Sequence, residues 1–237
     1  SATNNDHYEQ LENNNINLRN DIEPASQSAI LGIPSSATAG VITSRAASEA
    51  FFIAGTNRAM FRFTLINHLC NEMEQLHDTR LPPDRIRQDV PRSPGGDSRL
   101  FLNNCIGCHS GMDPMAQAFA YYNYDDAAGR PVYTPGSVQA KYFNNDLNFP
   151  QGFRTPNDDW ENRWRQGQNA YLGFDQSLPG SGAGANRSAR NLATATRLRP
   201  ARLRKYFAPC ACETPKTRWI VPRLPKSRTR SALRAFA

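Results

Sequence analysis

A mainly α-helical fold with long irregular loops is predicted for this 237-residue chain, on three observations. Apolar residues recur at helical spacing between positions 44 and 77, and a residue suited to cap a helix precedes several of the apolar runs. The 17 prolines and 15 glycines, many of them between those runs, confine regular structure to short pieces. Hydrophobic residues make up 39% of the chain against 21% charged, which places it among globular rather than disordered proteins. One domain with extensions is the expectation at this length.

Residues 1–39 begin polar and asparagine-rich, as a surface extension or the end of a preceding domain would. No charged-then-apolar leader is present, so any export signal is expected to have been removed or to lie outside this chain. Ser44 is placed to cap a helix over 44–53, and Thr56 a second one reaching about residue 77. At about 100° per residue, Phe61, Leu65, Ile66, Leu69, Cys70, Met73 and Leu76 share one arc of that second helix, which gives it a face to bury and makes Cys70 a buried thiol. Residues 79–97 carry Pro82, Pro83, Pro91 and Pro94-Gly95-Gly96, which exclude a regular helix. Asp97 or Ser98 then caps a short helix leading to Cys105, and Asp113-Pro114 opens another through Tyr122. Residues 123–157 read as a long ordered loop with a strand-like piece at 131–134. Asp158 or Asp159 caps a short helix bearing Trp160 and Trp164, and the glycine-rich run 180–184 is a flexible joint.

The net charge of +7 is unevenly distributed. Residues 1–186 hold 14 Lys/Arg against 20 Asp/Glu, or −6, whereas the last 51 residues hold 14 against the single Glu213, or +13. A basic protein suggests a polyanionic partner, but here only the tail could supply one, and no specific nucleic-acid partner is expected. No apolar run reaches the ~18 residues needed to cross a bilayer, so no transmembrane segment is expected.

The run Cys105-Ile106-Gly107-Cys108-His109 carries the chemistry. Attachment of a c-type haem needs two thiols for thioether bonds to the porphyrin vinyl groups and an imidazole for the iron. Two residues between the cysteines and a histidine directly after the second meet those needs. One covalent haem c is therefore expected, with Cys105 and Cys108 as its anchor and His109 as the metal ligand. Competing readings are a disulfide and half of a zinc site. Zinc wants four ligands, and a second Cys/His pair at ligand spacing is missing before Cys210-Ala211-Cys212 in the tail. A thioredoxin-like pair would sit in a βαβ pattern, which is not seen here.

From Cys105 to Asp125 the chain resembles the Cys-x-x-Cys-His-x-x-Met-Asp-Pro module of planctomycete-type cytochrome c-related proteins. Gly40-Val41-Ile42-Thr43, Asn57-Arg58 and Leu69-Cys70 fit the upstream order, so the resemblance covers about residues 40–130. It implies a cytochrome c-like helical haem domain matured outside the cytoplasm, in the periplasm or at the cell surface, with Cys105, Cys108 and His109 carried over. Ala116 and Ala118 stand where the module commonly has a glycine. The organisation expected is an extension over 1–39, a haem domain over 40–180 with a loop-rich insertion, and a flexible basic tail over 181–237.

Single-electron transfer to a redox partner protein is the expected function. The alternatives are a haem peroxidase or oxidase with an open distal face, and a disulfide-containing envelope binding module without haem. The second axial ligand separates the first two. Met112 follows His109 too closely to reach the opposite face, and no methionine or histidine follows Met115, which leaves Met60, His68, Met73 and His77, with Lys141, Tyr133 and Tyr142 as outside candidates. For each of the four the ordinary role is core packing or a solvated surface. The pairs Asp125-Asp126 and Asp158-Asp159 read as turn and cap residues rather than acid/base groups.

From about Arg187 the tail is a polybasic arm, an unstructured segment or the product of a frameshift. Shifting the possible codons of residues 205–213 back by one base allows Lys-Val-Phe-Arg-Ala-Val-Cys-Leu-Arg, a credible amphipathic helix. Under that reading Cys210 and Cys212 have no function.

Overall fold

The computed structural model describes residues 6–21, 24–88 and 98–196. About 48% of it is helical and two small antiparallel sheets accompany the helices, so the fold is mixed α/β. The helices are α1 (Asp6–Asn13), α2 (Gln27–Leu31), α3 (Arg45–Phe52), α4 (Asn57–Thr64), α5 (Ser98–Asn104), α6 (Ile106–Ala116) and α7 (Gly184–Ala193). Strands β1 (Tyr122–Asp125) and β2 (Arg130–Tyr133) form one hairpin, while β3 (Asp159–Glu161) pairs with the distant β4 (Ser181–Ala183). No described helix is long and apolar enough to cross a membrane.

The caps expected for α3 and α4 are formed, with Ser44 accepting from the Ala47 N–H and Thr56 from the Arg58 N–H. The second helix does not run on to residue 77. After Thr64 the backbone loosens into a π-turn over Leu65–Leu69, and Cys70 adopts a left-handed conformation (φ 50°) that ends the helix. A 3₁₀ turn, Met73–Leu76, then resumes the apolar stripe. Phe61, Leu65, Leu69, Met73 and Leu76 are buried as the wheel required, but Cys70 is exposed because the reversal turns it outward.

α4 packs against both α3 and α6 and is the central strut of the core. Phe52, Phe119 and Tyr122 form an aromatic cluster under the β1–β2 hairpin, and the Tyr122 hydroxyl donates to the Ala37 carbonyl. The strand-like piece at 131–134 thus becomes half of a hairpin, whose partner strand was read as helix end and loop. The short helix expected around Trp160 is instead strand β3 followed by a 3₁₀ turn over Arg163–Arg165. Both tryptophans are nevertheless buried.

Two boundaries move outward. Leu31, Ile33 and Ala37 lie in the same core cluster as α4 and α6, so the packed unit begins before residue 40. The run 180–184 is strand β4 rather than a flexible joint, and Ala185, Leu192 and Ala195 reach the core. Asn191 secures α7 by accepting from Asn162 (2.8 Å) and donating to the Pro179 carbonyl (3.1 Å), with both side chains buried. The remainder of the expected tail, with Cys210 and Cys212, lies outside the described residues.

Candidate haem-attachment site

α5 and α6 run almost head to tail through Cys105, whose N–H bonds the Phe101 carbonyl and whose carbonyl accepts from His109 (3.1 Å). Both cysteines and the histidine therefore occupy one helical junction. At 100° per residue, Cys105, Cys108, His109 and Met112 fall within an arc of about 100° on α6. Cys105 and Cys108 are free, partly exposed thiols, so the expected alternative of a disulfide between them is not formed. Burial pushes the Cys108 thiol up, and its sulfur lies 3.4 Å from the Met73 carbonyl.

His109 is held from one side only. Its Nδ1 is 2.9 Å from Oδ1 of Asp113, one turn on, and Phe101 meets its ring edge-on at 5.1 Å between centroids. The Asp113 carboxylate is 3% exposed and takes a fork from Arg58, Nε to Oδ1 at 2.9 Å and the terminal nitrogen to Oδ2 at 2.5 Å. The Arg87 N–H adds a fourth contact at 3.3 Å. Burial alone would raise the Asp113 carboxyl, but the Arg58 and His109 charges and hydrogen bonds outweigh it and hold the group well below the usual carboxylate range. With Nδ1 committed, Nε2 is the nitrogen of His109 left to ligate a metal.

The opposite arc of α6 is built of glycine. A Cβ on Gly111 would lie 2.1 Å from the indole nitrogen of the fully buried Trp164, and one on Gly107 would lie 2.4 Å from the His77 imidazole. The consequences differ because Trp164 is wedged against Phe61 (5.8 Å) whereas His77 is exposed. Gly111→Ala is expected to lower the unfolding free energy by about 1–3 kcal/mol through overpacking. Gly107→Ala is expected to stay within about 1 kcal/mol of the parent, since the His77 ring can swing away and alanine favours the helix. Urea unfolding of the two variants side by side checks the contrast.

No family model, curated protein or solved structure matches the chain.

The donor set fits a covalently attached haem: two unpaired thiols on one helical arc, with an imidazole beside them whose Nδ1 is engaged by Asp113 and whose Nε2 is left for a metal. Among the described residues no group of three or more His, Cys, Asp or Glu side chains is arranged to hold a metal ion on its own. The proposed distal ligands are dispersed. Met73 is buried with its backbone beside Cys108, whereas His77 rests on the glycine arc, about 160° round α6 from His109. Met60 and His68 line a separate cavity of about 290 Å³ between α3 and α4. Lys141 donates to the Phe52 carbonyl and the Tyr142 hydroxyl to the Tyr122 carbonyl, so both are committed elsewhere. Tyr133 packs on Tyr121 and Tyr122.

Asp113 was expected to cap a new helix. It lies inside α6, which continues through Pro114 to Ala116 even though the proline forgoes one backbone hydrogen bond. A histidine and a carboxylate four residues apart would have marked the pair had the helix been read as unbroken. Arg58, 55 residues upstream, left no local signal.

Proposed function

We propose that this chain is a mono-haem c-type cytochrome domain of the bacterial cell envelope, of the planctomycete-type cytochrome c-related kind, passing single electrons to or from a partner protein. The observation that carries the reading is the His109 imidazole, fixed through Nδ1 by a buried carboxylate on the same helical arc as two free thiols. Cys105 and Cys108 would hold the group through thioether bonds and His109 Nε2 would ligate its iron. Bound haem c would supply a one-electron couple.

The chain's own contribution is positional. Asp113 keeps the proton on Nδ1 and orients the ring, Arg58 balances the buried carboxylate, and Phe101 limits rotation of the imidazole. Trp164 presses α6 into place from behind, so the thiols and the imidazole share one rigid element. Covalent attachment would call for maturation outside the cytoplasm, in the periplasm or at the cell surface, as the family resemblance implies.

The test is expression of the full chain with haem-attachment machinery, followed by the pyridine haemochrome spectrum of the denatured protein. A c-type band in the parent, lost when Cys105 and Cys108 are both replaced by alanine, is the expected result. A parent chain without haem after such maturation refutes the reading. Carbon monoxide binding to the reduced protein would then redirect it toward an open-faced oxidase or peroxidase.

A further inference from the structure

We infer that Asp113 and Arg58 form a coupled pair that sets the reduction potential of the group His109 would ligate, with Asp113 a positioning residue and Arg58 its counterweight. The inference rests on the haem reading above. A carboxylate hydrogen-bonded to a metal-bound histidine increases the basicity of the ligand, which favours the oxidised, more highly charged metal. Asp113 is placed to do this at 2.9 Å.

The carboxylate does not act unopposed. The Arg58 fork occupies both of its oxygens, and the Arg87 N–H takes a further share of Oδ2. Each of these contacts draws electron density away from the oxygen that faces His109. Asp113 thus holds its orientation while its pull on the Nδ1 proton is reduced. Asp113 is on α6 and Arg58 on α4, the two packed elements at the centre of the core, so the balance is built into the fold rather than into a surface loop.

Opposite signs follow from this arrangement. Asp113→Asn keeps the shape and an acceptor oxygen but removes the charge, and is expected to raise the potential. Arg58→Gln leaves the carboxylate uncompensated and is expected to lower it. Each shift should correspond to at least a tenfold change in the reduction equilibrium constant, about 59 mV for one electron. If Arg58 acts through Asp113, Arg58→Gln has a smaller effect in the Asp113→Asn background than in the parent.

The experiment is a spectroelectrochemical titration of the haem-loaded full chain, the two single variants and the double variant, with haem content read separately by haemochrome. The potential is read on the haem-loaded fraction of each variant, so a variant that loads less haem is still compared on the same footing. Shifts of opposite sign with a non-additive double variant support the pair. Shifts of the same sign, or constants within about twofold of the parent, overturn it, because loosening of the site alone would move both variants alike. Should Arg58→Gln not fold, Arg58→Lys keeps the charge and loses the fork, and must lower the potential relative to the parent for the inference to stand; a raised or unchanged potential overturns it. A parent chain without haem refutes the underlying reading instead.

Discussion

Replacing Arg58 with alanine is expected to lower the unfolding free energy of the full chain by about 3–5 kcal/mol, measured by urea denaturation. Asp113 is 3% exposed and Arg58 13%, so the ion pair lies away from solvent, and the variant leaves a buried carboxylate without its guanidinium fork, with Arg85 and Arg87 lining the same small pocket. His109 and the Arg87 N–H would remain as hydrogen-bond partners, but the bidentate guanidinium fork would be gone. A double variant, Arg58→Met with Asp113→Leu, is expected to cost less than the single one, because no buried charge is left behind. A single substitution no worse than an ordinary surface change, within about 0.5 kcal/mol, would show that solvent reaches the pair.

Trp164→Ala is expected to cost a similar amount, about 3–5 kcal/mol, by opening a cavity behind α6. The indole is fully buried, stacks on Phe61 at 5.8 Å, and lies so close to Gly111 that nothing else can fill the gap without movement of the helix. Its Nε1 makes no hydrogen bond in the structure. Trp164→Phe therefore removes an unsatisfied donor as well as volume, and is expected to cost much less than the alanine change. Because Trp164 supports the helix that carries Cys105, Cys108 and His109, the alanine variant is also expected to blur the near-ultraviolet signals of the folded chain. Equal destabilisation by phenylalanine and alanine would mean that shape at Gly111, rather than volume, governs the contact.

What the sequence disclosed, and what it withheld, follows the range of the interactions involved. Ser44 and Thr56 cap the helices they were expected to cap, because a side-chain oxygen bonding a backbone N–H two or three residues on is a local event. The apolar stripe from Phe61 to Leu76 is buried although the helix beneath it breaks at Cys70. Periodicity reported the face, and a single left-handed residue changed the path. The proline at position 114 pointed the other way. It reads as a helix start, yet packing of α6 against α4 carries the helix through it and turns Asp113 from a cap into the partner of His109.

The sheets were the least legible elements. β4 is three residues of Ser, Gly and Ala, with no strand pattern of its own, and it exists because β3, about 20 residues earlier, offers an edge. The same pairing brings α7 onto the core, which is why a segment with the composition of a linker is fixed. At the candidate site, spacing alone singles out Cys105, Cys108 and His109 as the candidates. Asp113 was visible but misassigned, and the pairing of Arg58 with it could be found only once α4 and α6 were seen side by side.

The most direct measurement of the central claim is the mass of one peptide. Trypsin should release residues 100–141 as a single fragment, since Arg130 precedes Pro131, and that fragment contains Cys105, Cys108 and His109. From full chain produced with haem-attachment machinery, the fragment is expected to carry the mass of one haem and to resist thiol alkylation at both cysteines. The unmodified mass, with both cysteines alkylated, would contradict the account.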